Sequence, residues 1–315
     1  MSRLTPPAGV EIVEVAPRDG FQSISDPLPT VDKIRCIQAL IDAGIKRLEI
    51  GSFVSPKAVP QMADIGEIVA SFIHRSDLRL AALVPNLKGA DLALASGIRE
   101  LMFVVSVSET HNRGNVRQSI ADSLANLKGI VERLRAQTDS HGMRLRLSLG
   151  TSFDCPYEGR IDWRQVEAVL ASAMEITQGT AVEVALCDTT GRATPYQVAE
   201  YFSRLGERFQ DPRLSWAFHG HDTYGMGVAN ALFALHHGAT ALDASAAGLG
   251  GCPFAPGATG NTATEDLVYA LHGGKMHTGI DLTSLLNAAD KIAELPGGQT
   301  ASHLRNVPRK KVEPA

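Results

Sequence analysis

The strongest constraint on the fold of this chain is a regular alternation between two hydrophobic periods. Eight short runs rich in Val, Ile and Leu have strand-like length and composition, at residues 11–17, 47–53, 79–85, 100–106, 144–150, 181–187, 214–220 and 241–247. Segments with apolar residues at helical spacing follow them, at 30–43, 65–73, 87–95, 120–134, 163–174, 195–209, 226–236 and 265–271. Strands that alternate with helices in this way predict a parallel sheet.

Eight strand–helix units predict one closed (β/α)8 barrel, the TIM barrel. The 315 residues could also hold two average domains, but eight units match a barrel, whose usual size is about 250 residues. An open doubly wound sheet is the alternative. However, Pro17-Arg18-Asp19-Gly20 follows the first strand, where such a sheet would carry a glycine-rich dinucleotide-binding motif. We therefore predict a catalytic barrel over residues 1–295 and an extra C-terminal segment, 296–315, that forms a flexible basic tail.

Composition and charge argue against several classes of protein. The chain has 30 basic and 34 acidic residues, whereas nucleic-acid-binding proteins carry a concentrated basic surface, so we expect no nucleic-acid partner. The sequence has no run of 18 apolar residues and no apolar segment typical of a signal peptide, so we expect no membrane association. Its four scattered cysteines suit free thiols in a reducing compartment. We predict a cytoplasmic protein.

Polar side chains cluster where the predicted strands end, and this end of a barrel carries the active site. The residues found there are Arg18, Asp19, Glu49, Ser52, Asp188, His219 and His221, with Cys252 and Asn261 beyond the eighth strand.

His219 and His221 predict a metal site at the end of the seventh strand. Residues two apart on a strand share one face, so both imidazoles can bind one ion. Asp19 adds a carboxylate, because the first strand lies beside the eighth in a closed barrel. Nitrogen and oxygen ligands of this kind suit Mg²⁺, Mn²⁺ or another divalent ion better than an ion that prefers thiolates. The alternative for an isolated His-X-His is a pair of surface or hydrogen-bonded core histidines.

Four other residues each have two possible roles. Arg18 could pair with a carboxylate, or it could hold a carbonyl oxygen that becomes an enolate. Cys252 could be a small buried hydrophobe, or, on a mobile glycine loop, it could exchange a proton with a substrate. Glu49 and Asp188 could be ion-pair partners, or they could orient a ligand or a proton shuttle.

Several motifs resemble those of the 3-hydroxy-3-methylglutaryl-CoA lyase family, a metallolyase group of TIM barrels, and the resemblance covers essentially the whole chain. The motifs are EVAPRDGFQ at 14–22, SFVSPK at 52–57, CPYEG at 155–159, HGHDTYG at 219–225, GLGGCPF at 248–254 and GNTATED at 260–266. The related condensing synthases share the metal-site pattern but not the cysteine loop with the downstream motif.

The resemblance implies roles for ten residues: metal ligation by Asp19, His219, His221 and Asn261, catalysis by Arg18 and Cys252 with support from Glu49 and Asp188, and contacts of Gln22 and Ser52 with the acyl portion of the substrate. It implies Mg²⁺- or Mn²⁺-dependent retro-Claisen cleavage of 3-hydroxy-3-methylglutaryl-CoA to acetyl-CoA and acetoacetate, as in leucine catabolism and ketone-body formation. The expected partner is an acyl-CoA substrate, and a homodimer is the expected assembly.

The chain departs from the family pattern in three places. Ser23-Ile24 stand where Asn-Glu is common, Gly220 replaces a bulkier residue, and Asp154 precedes Cys155. The first and third leave open a related 3-hydroxy-3-carboxymethyl acyl-CoA with another group on C3. A Claisen-condensing synthase and a catalytically silent metal- or CoA-binding paralogue are more distant alternatives. The cysteine loop argues against the former, and the complete set of site residues argues against the latter.

Overall fold

The computed structural model describes residues 9–137, 142–251, 260–298 and 301–312. Ten strands lie within this part of the chain: β1 (Glu11–Glu14), β2 (Arg47–Ser52), β3 (Arg79–Leu83), β4 (Glu100–Ser106), β5 (Arg144–Gly150), β6 (Asp154–Cys155), β7 (Gly159–Arg160), β8 (Val182–Asp188), β9 (Leu214–Gly220) and β10 (Ala239–Ala244). All but β6 and β7 form a closed parallel barrel in the order β1-β10-β9-β8-β5-β4-β3-β2. The predicted barrel is confirmed.

Helices cover the outside of the barrel. Those in the described residues are α1 (Phe21–Ser23), α2 (Thr30–Asp42), α3 (Ile65–Phe72), α4 (Leu87–Ala95), α5 (Glu109–Val116), α6 (Ile120–Arg135), α7 (Trp163–Ile176), α8 (Pro195–Arg208), α9 (Gly227–His236), α10 (Thr264–Gly273) and α11 (Leu282–Ala293). The sequence analysis missed α1, α5 and α11. In α5 only His111 and Asn112 are buried, so it has no apolar stripe, and the cap formed by Ser108 marks its start.

Side chains of the barrel strands alternate between two cores. Outward-facing residues such as Leu48, Leu101 and Leu147 belong to the core between strands and helices. Inward-facing residues form a separate, smaller cluster whose members include Val13, Val15, Ala81, Ala185, Ala217 and Ala241. Most of these inward residues are small, so the interior has room for long charged side chains as well.

Ion pairs fill the end of the barrel where the strands begin. Arg47 is buried at the start of β2 and pairs with the buried Glu100, with Glu183 at 2.7 Å and with Glu11 at 3.0 Å. Arg79 Nε lies 3.0 Å from Glu100 Oε2. Removing one member of a buried pair typically costs about 3–5 kcal/mol. The charged side chains at this end are thus paired with one another, whereas the candidate site residues lie at the opposite end of the barrel.

The described residues 301–312 differ from the flexible tail expected over 296–315. Residues 301–312 lie against the barrel: the backbone amides of His303 and Leu304 each donate to Asp266 at 2.8 Å, and Arg305 Nε lies 2.9 Å from Asp290. Leu304 is 8% exposed and Val312 5% exposed. These two apolar residues anchor the segment, although its basic composition had suggested that it is fully solvated. In the described part of the chain, no helix is both long enough and apolar enough to cross a bilayer.

Replacing Leu304 by alanine tests this docking. We expect Leu304→Ala to lower the free energy of unfolding by about 2 kcal/mol, because a buried leucine loses its apolar contacts. Denaturant unfolding followed by circular dichroism measures the change. Leu92→Ala is the matched control, since Leu92 is 51% exposed. Equal stability of the two variants would mean that the segment contributes nothing to the folded barrel.

Candidate active site

A single π-helical turn, Ala16–Gly20, positions Arg18 and Asp19 at the end of β1. The backbone amides of Arg18, Asp19 and Gly20 all donate to the carbonyl of Val15, at 3.1, 2.8 and 3.3 Å. Turns of this wide type often occur at functional sites. Here the turn delivers two adjacent charged side chains to the mouth of the barrel.

Asp19, His219 and His221 converge at this mouth, and one ligand atom from each lies within 4.8 Å of the others. His219 ends the inward face of β9, and its Nε2 lies 4.0 Å from Asp19 Oδ2. Both imidazoles are held through Nδ1: that of His219 lies 3.0 Å from Asp243 Oδ2, and that of His221 lies 2.9 Å from the carbonyl oxygen of Asp188. The Nε2 atoms of both rings are thereby left for a ligand.

Asn261 completes the cluster from the other side. It forms an isolated β-bridge with His221. Its Nδ2 donates to Asp19 Oδ2 at 2.9 Å and to the carbonyl of Leu249 at 3.0 Å. Its Oδ1 is buried and has no hydrogen-bond partner among the described residues. A buried, unpaired oxygen beside a carboxylate and two imidazoles fits a divalent cation, so a possible metal site exists here.

Gly250, in the described start of the glycine loop after β10, packs directly on this cluster. Gly250 has a positive φ of 115°, and a Cβ at this position would collide with Asn261 Nδ2. Only glycine therefore allows the loop to approach Asn261 so closely.

The charges of the cluster and its burial favour the metal-binding forms of Asp19 and His221. Burial would raise the pKa of Asp19, but Arg18 and the two histidines lower it to about 2. Burial, together with the neighbouring His219, lowers the pKa of His221 to about 4. At neutral pH Asp19 is thus a carboxylate and His221 a neutral imidazole, the forms that bind cations.

Arg18 and Glu49 form a buried ion pair beside the cluster. Arg18 Nε lies 2.8 Å from Glu49 Oε1, and Arg18 Nη1 pairs with Asp19. Glu49 is almost completely buried in β2. The guanidinium is therefore held between two carboxylates at the edge of the cluster.

Asp188 ends β8, where its carboxylate is fully buried. Its Oδ2 accepts a hydrogen bond from the amide of Ala193 at 3.1 Å, and its Oδ1 has no partner among the described residues. Burial raises the pKa of this carboxyl to about 7. Through its backbone carbonyl, Asp188 also orients His221.

Three predicted residues remain: Ser52, Gln22 and Cys252. Ser52 is buried at the end of β2 and donates to the carbonyl of Leu83 at 3.3 Å. Gln22 lies in α1, and its buried Oε1 has no partner among the described residues. Cys252 lies outside the described residues, so its predicted role stays a prediction.

The departures from the family pattern have structural explanations. Ser23 Oγ donates to the carbonyl of Gly20 at 2.7 Å, and Ile24 is part of the core. Asp154 Oδ2 accepts a hydrogen bond from Thr190 at 2.9 Å. A Cβ on Gly220 would lie 2.6 Å from the ring of Phe218. These residues therefore have packing or hydrogen-bonding roles in the folded chain.

Sequence reasoning missed three buried carboxylates that support the site. Asp243 contacts His219, and strand alternation could have placed it on the inward face of β10. Glu14 accepts hydrogen bonds from the amides of Ala16 at 2.9 Å and Ala246 at 3.0 Å, so it joins the π-helical turn to the start of the glycine loop. Glu265 accepts one from the amide of Ala247 at 3.1 Å. No local pattern reveals these long-range contacts.

Comparison with known proteins points to the family that the sequence motifs resemble. The HMGL-like family model matches residues 9–292. A 3-hydroxy-3-isohexenylglutaryl-CoA/hydroxy-methylglutaryl-CoA lyase of Pseudomonas aeruginosa is 41% identical, over 94% of this chain and 96% of that protein. An (R)-citramalyl-CoA lyase of Chloroflexus aurantiacus is 39% identical, over 91% of each chain. An HMG-CoA lyase structure from Acinetobacter baumannii, in complex with coenzyme A and 3-methylmalate, has a TM-score of 0.87 at 38% identity and covers 96% of each chain.

The chain belongs to the HMGL-like family. It is therefore an enzyme of the carbon–carbon lyase class.

Replacing His221 by alanine tests whether the cluster binds a cation. We expect metal-free His221→Ala to bind Mn²⁺ at least about tenfold more weakly than the wild type, because one inward-facing ligand is lost. Electron paramagnetic resonance of free Mn²⁺ measures the affinity. His236→Ala, at the exposed end of α9, is the control. Unchanged Mn²⁺ affinity in His221→Ala would exclude His221 from the ligand set.

Proposed function

We propose that this chain is a hydroxymethylglutaryl-CoA lyase, which cleaves 3-hydroxy-3-methylglutaryl-CoA to acetyl-CoA and acetoacetate with a bound Mg²⁺ or Mn²⁺. The main support is the position of Arg18, which lies beside the cluster of Asp19, His219 and His221 in one barrel mouth. An arginine next to a cation site can stabilise an enolate while the substrate is held by the same site. The relatives whose names include this activity are a second support.

The residues that would hold the cation are Asp19, His219, His221 and Asn261. When bound there, a divalent cation supplies Lewis-acid polarisation of the substrate oxygens. Gln22 and Ser52 would contact the acyl portion of the substrate.

Arg18 stabilises the enolate that forms when the C2–C3 bond of the substrate breaks. Its guanidinium is fixed by Glu49 before the reaction starts, so little reorganisation is needed as charge develops on the thioester oxygen. One well-placed donor of this kind typically contributes about 3–4 kcal/mol to transition-state stabilisation. Glu49 therefore acts through the orientation of Arg18.

Three proton transfers complete the reaction. The hydroxyl on C3 loses its proton, the C2–C3 bond breaks, and C3 becomes the ketone of acetoacetate. Asp188 can accept that proton, since its Oδ1 is buried without a partner among the described residues; a ligating histidine is the alternative. Cys252 would protonate the enolate carbon to give acetyl-CoA, and its thiolate would then regain a proton from the group that accepted the first one.

A related acyl-CoA is the second candidate substrate. Support comes from the relatives, whose names include a citramalyl-CoA lyase and an isohexenylglutaryl-CoA lyase at 39% and 41% identity. No observation favours a condensing synthase or a silent paralogue. The cytoplasmic location and the homodimeric assembly stay predictions.

A substrate panel tests the reaction and its specificity. We expect the purified enzyme to release acetyl-CoA from 3-hydroxy-3-methylglutaryl-CoA with a higher kcat/KM than from citramalyl-CoA or 3-hydroxy-3-isohexenylglutaryl-CoA. EDTA should abolish this release and Mg²⁺ or Mn²⁺ should restore it, because the cation polarises the reacting oxygens. A coupled spectrophotometric assay for acetyl-CoA gives the rates. A higher kcat/KM for another thioester would establish the second candidate instead, and no cleavage of any thioester would reject both.

Arg18→Gln tests the enolate-stabilising role. We expect turnover to fall about 10²–10³-fold, as when one donor to a developing oxyanion is removed, while Mn²⁺ affinity stays within the same order of magnitude. Arg164→Gln removes an arginine whose side chain is 70% exposed and serves as the matched control. A wild-type turnover number in Arg18→Gln would show that the enolate is stabilised by another group.

A further inference from the structure

We propose that Asp243 is a positioning residue that sets the tautomer and ring orientation of His219, and that Arg146 holds Asp243 in place for this role. The inference rests on the proposed function, in which His219 is a metal ligand through Nε2.

The contact between Asp243 and His219 follows from strand pairing. The two residues are partners in the parallel register of β9 and β10. Asp243 Oδ2 lies 3.0 Å from His219 Nδ1. They are 6% and 9% exposed, so water competes little for this hydrogen bond. A carboxylate accepts only, so Nδ1 carries a proton, and in the neutral imidazole Nε2 then presents its lone pair to the mouth of the barrel.

Arg146 fixes the carboxylate from the opposite side. Its Nη2 lies 2.7 Å from both carboxylate oxygens of Asp243. Arg146 is 1% exposed in β5, and its Nη1 lies 3.3 Å from Glu183. A guanidinium buried this deeply needs a carboxylate partner, because an unpaired charge in the barrel interior would be strongly destabilising. The carboxylate of Asp243 is therefore held between Arg146 and the imidazole.

The two histidines of the cluster are oriented by different groups. His221 donates to a backbone carbonyl, that of Asp188, which no side-chain substitution removes. His219 donates to a side-chain carboxylate, which also increases the basicity of the imidazole. Among the described contacts of the two imidazoles at Nδ1, Asp243 is thus the partner that can be altered by substitution.

The affinity of the metal-free protein for Mn²⁺ tests the role of Asp243. We expect Asp243→Asn to raise the Kd for Mn²⁺ by about 10–100-fold, since loss of a carboxylate behind a ligating histidine typically has this effect. Asp64→Asn is the matched control: the same substitution breaks a largely buried ion pair, with Lys33 at 2.8 Å, away from the barrel interior. Electron paramagnetic resonance gives the Kd, and thermal unfolding gives the stability of each variant.

The outcomes separate the inference from the proposed function. A raised Kd in Asp243→Asn, with a Kd near the wild-type value in Asp64→Asn, supports the inference. If the wild type binds Mn²⁺ and Asp243→Asn binds it with the same Kd, the inference is overturned and the proposed function is not. An equal rise of the Kd in Asp64→Asn would have the same consequence. A wild-type protein that binds no Mn²⁺ would overturn the proposed metal site, and the inference with it.

A second measurement does not depend on the folding of a variant at position 243. In wild-type protein that carries ¹⁵N-labelled histidine and bound Mg²⁺, NMR identifies the protonated ring nitrogen of each histidine, and His219→Gln assigns the His219 signal. We expect the proton of His219 on Nδ1, with the chemical shift of a hydrogen bond to a carboxylate. A proton on Nε2 would contradict the inference.

Discussion

Pairing of the first and last strands of the barrel is the contact on which the site depends. β1 pairs with β2 on one side and with β10 on the other, and β10 pairs with β9. This closure places Asp19, which follows β1, beside His219 at the end of β9. It also allows Asn261 to donate to Asp19 although the two residues are 242 positions apart in the sequence. An open sheet would leave these groups at opposite edges.

A continuous set of ion pairs runs through the barrel interior, from the end where the strands begin to the site. Small residues such as Ala185 and Ala241 leave space for Arg146, which reaches Glu183 on one side and Asp243 on the other. Glu183 in turn pairs with Arg47. The ion pairs that close the lower end of the barrel are therefore continuous with the carboxylate that contacts His219. Substitutions at the end of the barrel where the strands begin can therefore change the stability of the fold, and they can also affect the site through these ion pairs.

The start of the glycine loop combines close packing with unusual backbone geometry. Ala247 adopts a positive φ of 62° although it is not a glycine. Glu265 and Glu14 accept hydrogen bonds from the amides of Ala247 and Ala246, and these contacts hold the backbone in that conformation. Strained residues held by their surroundings are common at functional sites. In this chain the constraint fixes the backbone at Ala246 and Ala247, directly after β10.

The sequence by itself determined the barrel and located three polar residues that the fold brings together. Period-2 and period-3.6 patterns are local, so they located all eight barrel strands, and the motifs pointed to Asp19, His219 and His221, which the fold brings together. Only the tertiary structure decided what supports these residues. The contacts of Asp243 and Glu14 join distant segments, and so does the packing of Leu304 against the core. Neither spacing nor composition encodes such contacts. A local pattern specifies which face of a strand is buried, whereas closure of the barrel specifies what that face meets.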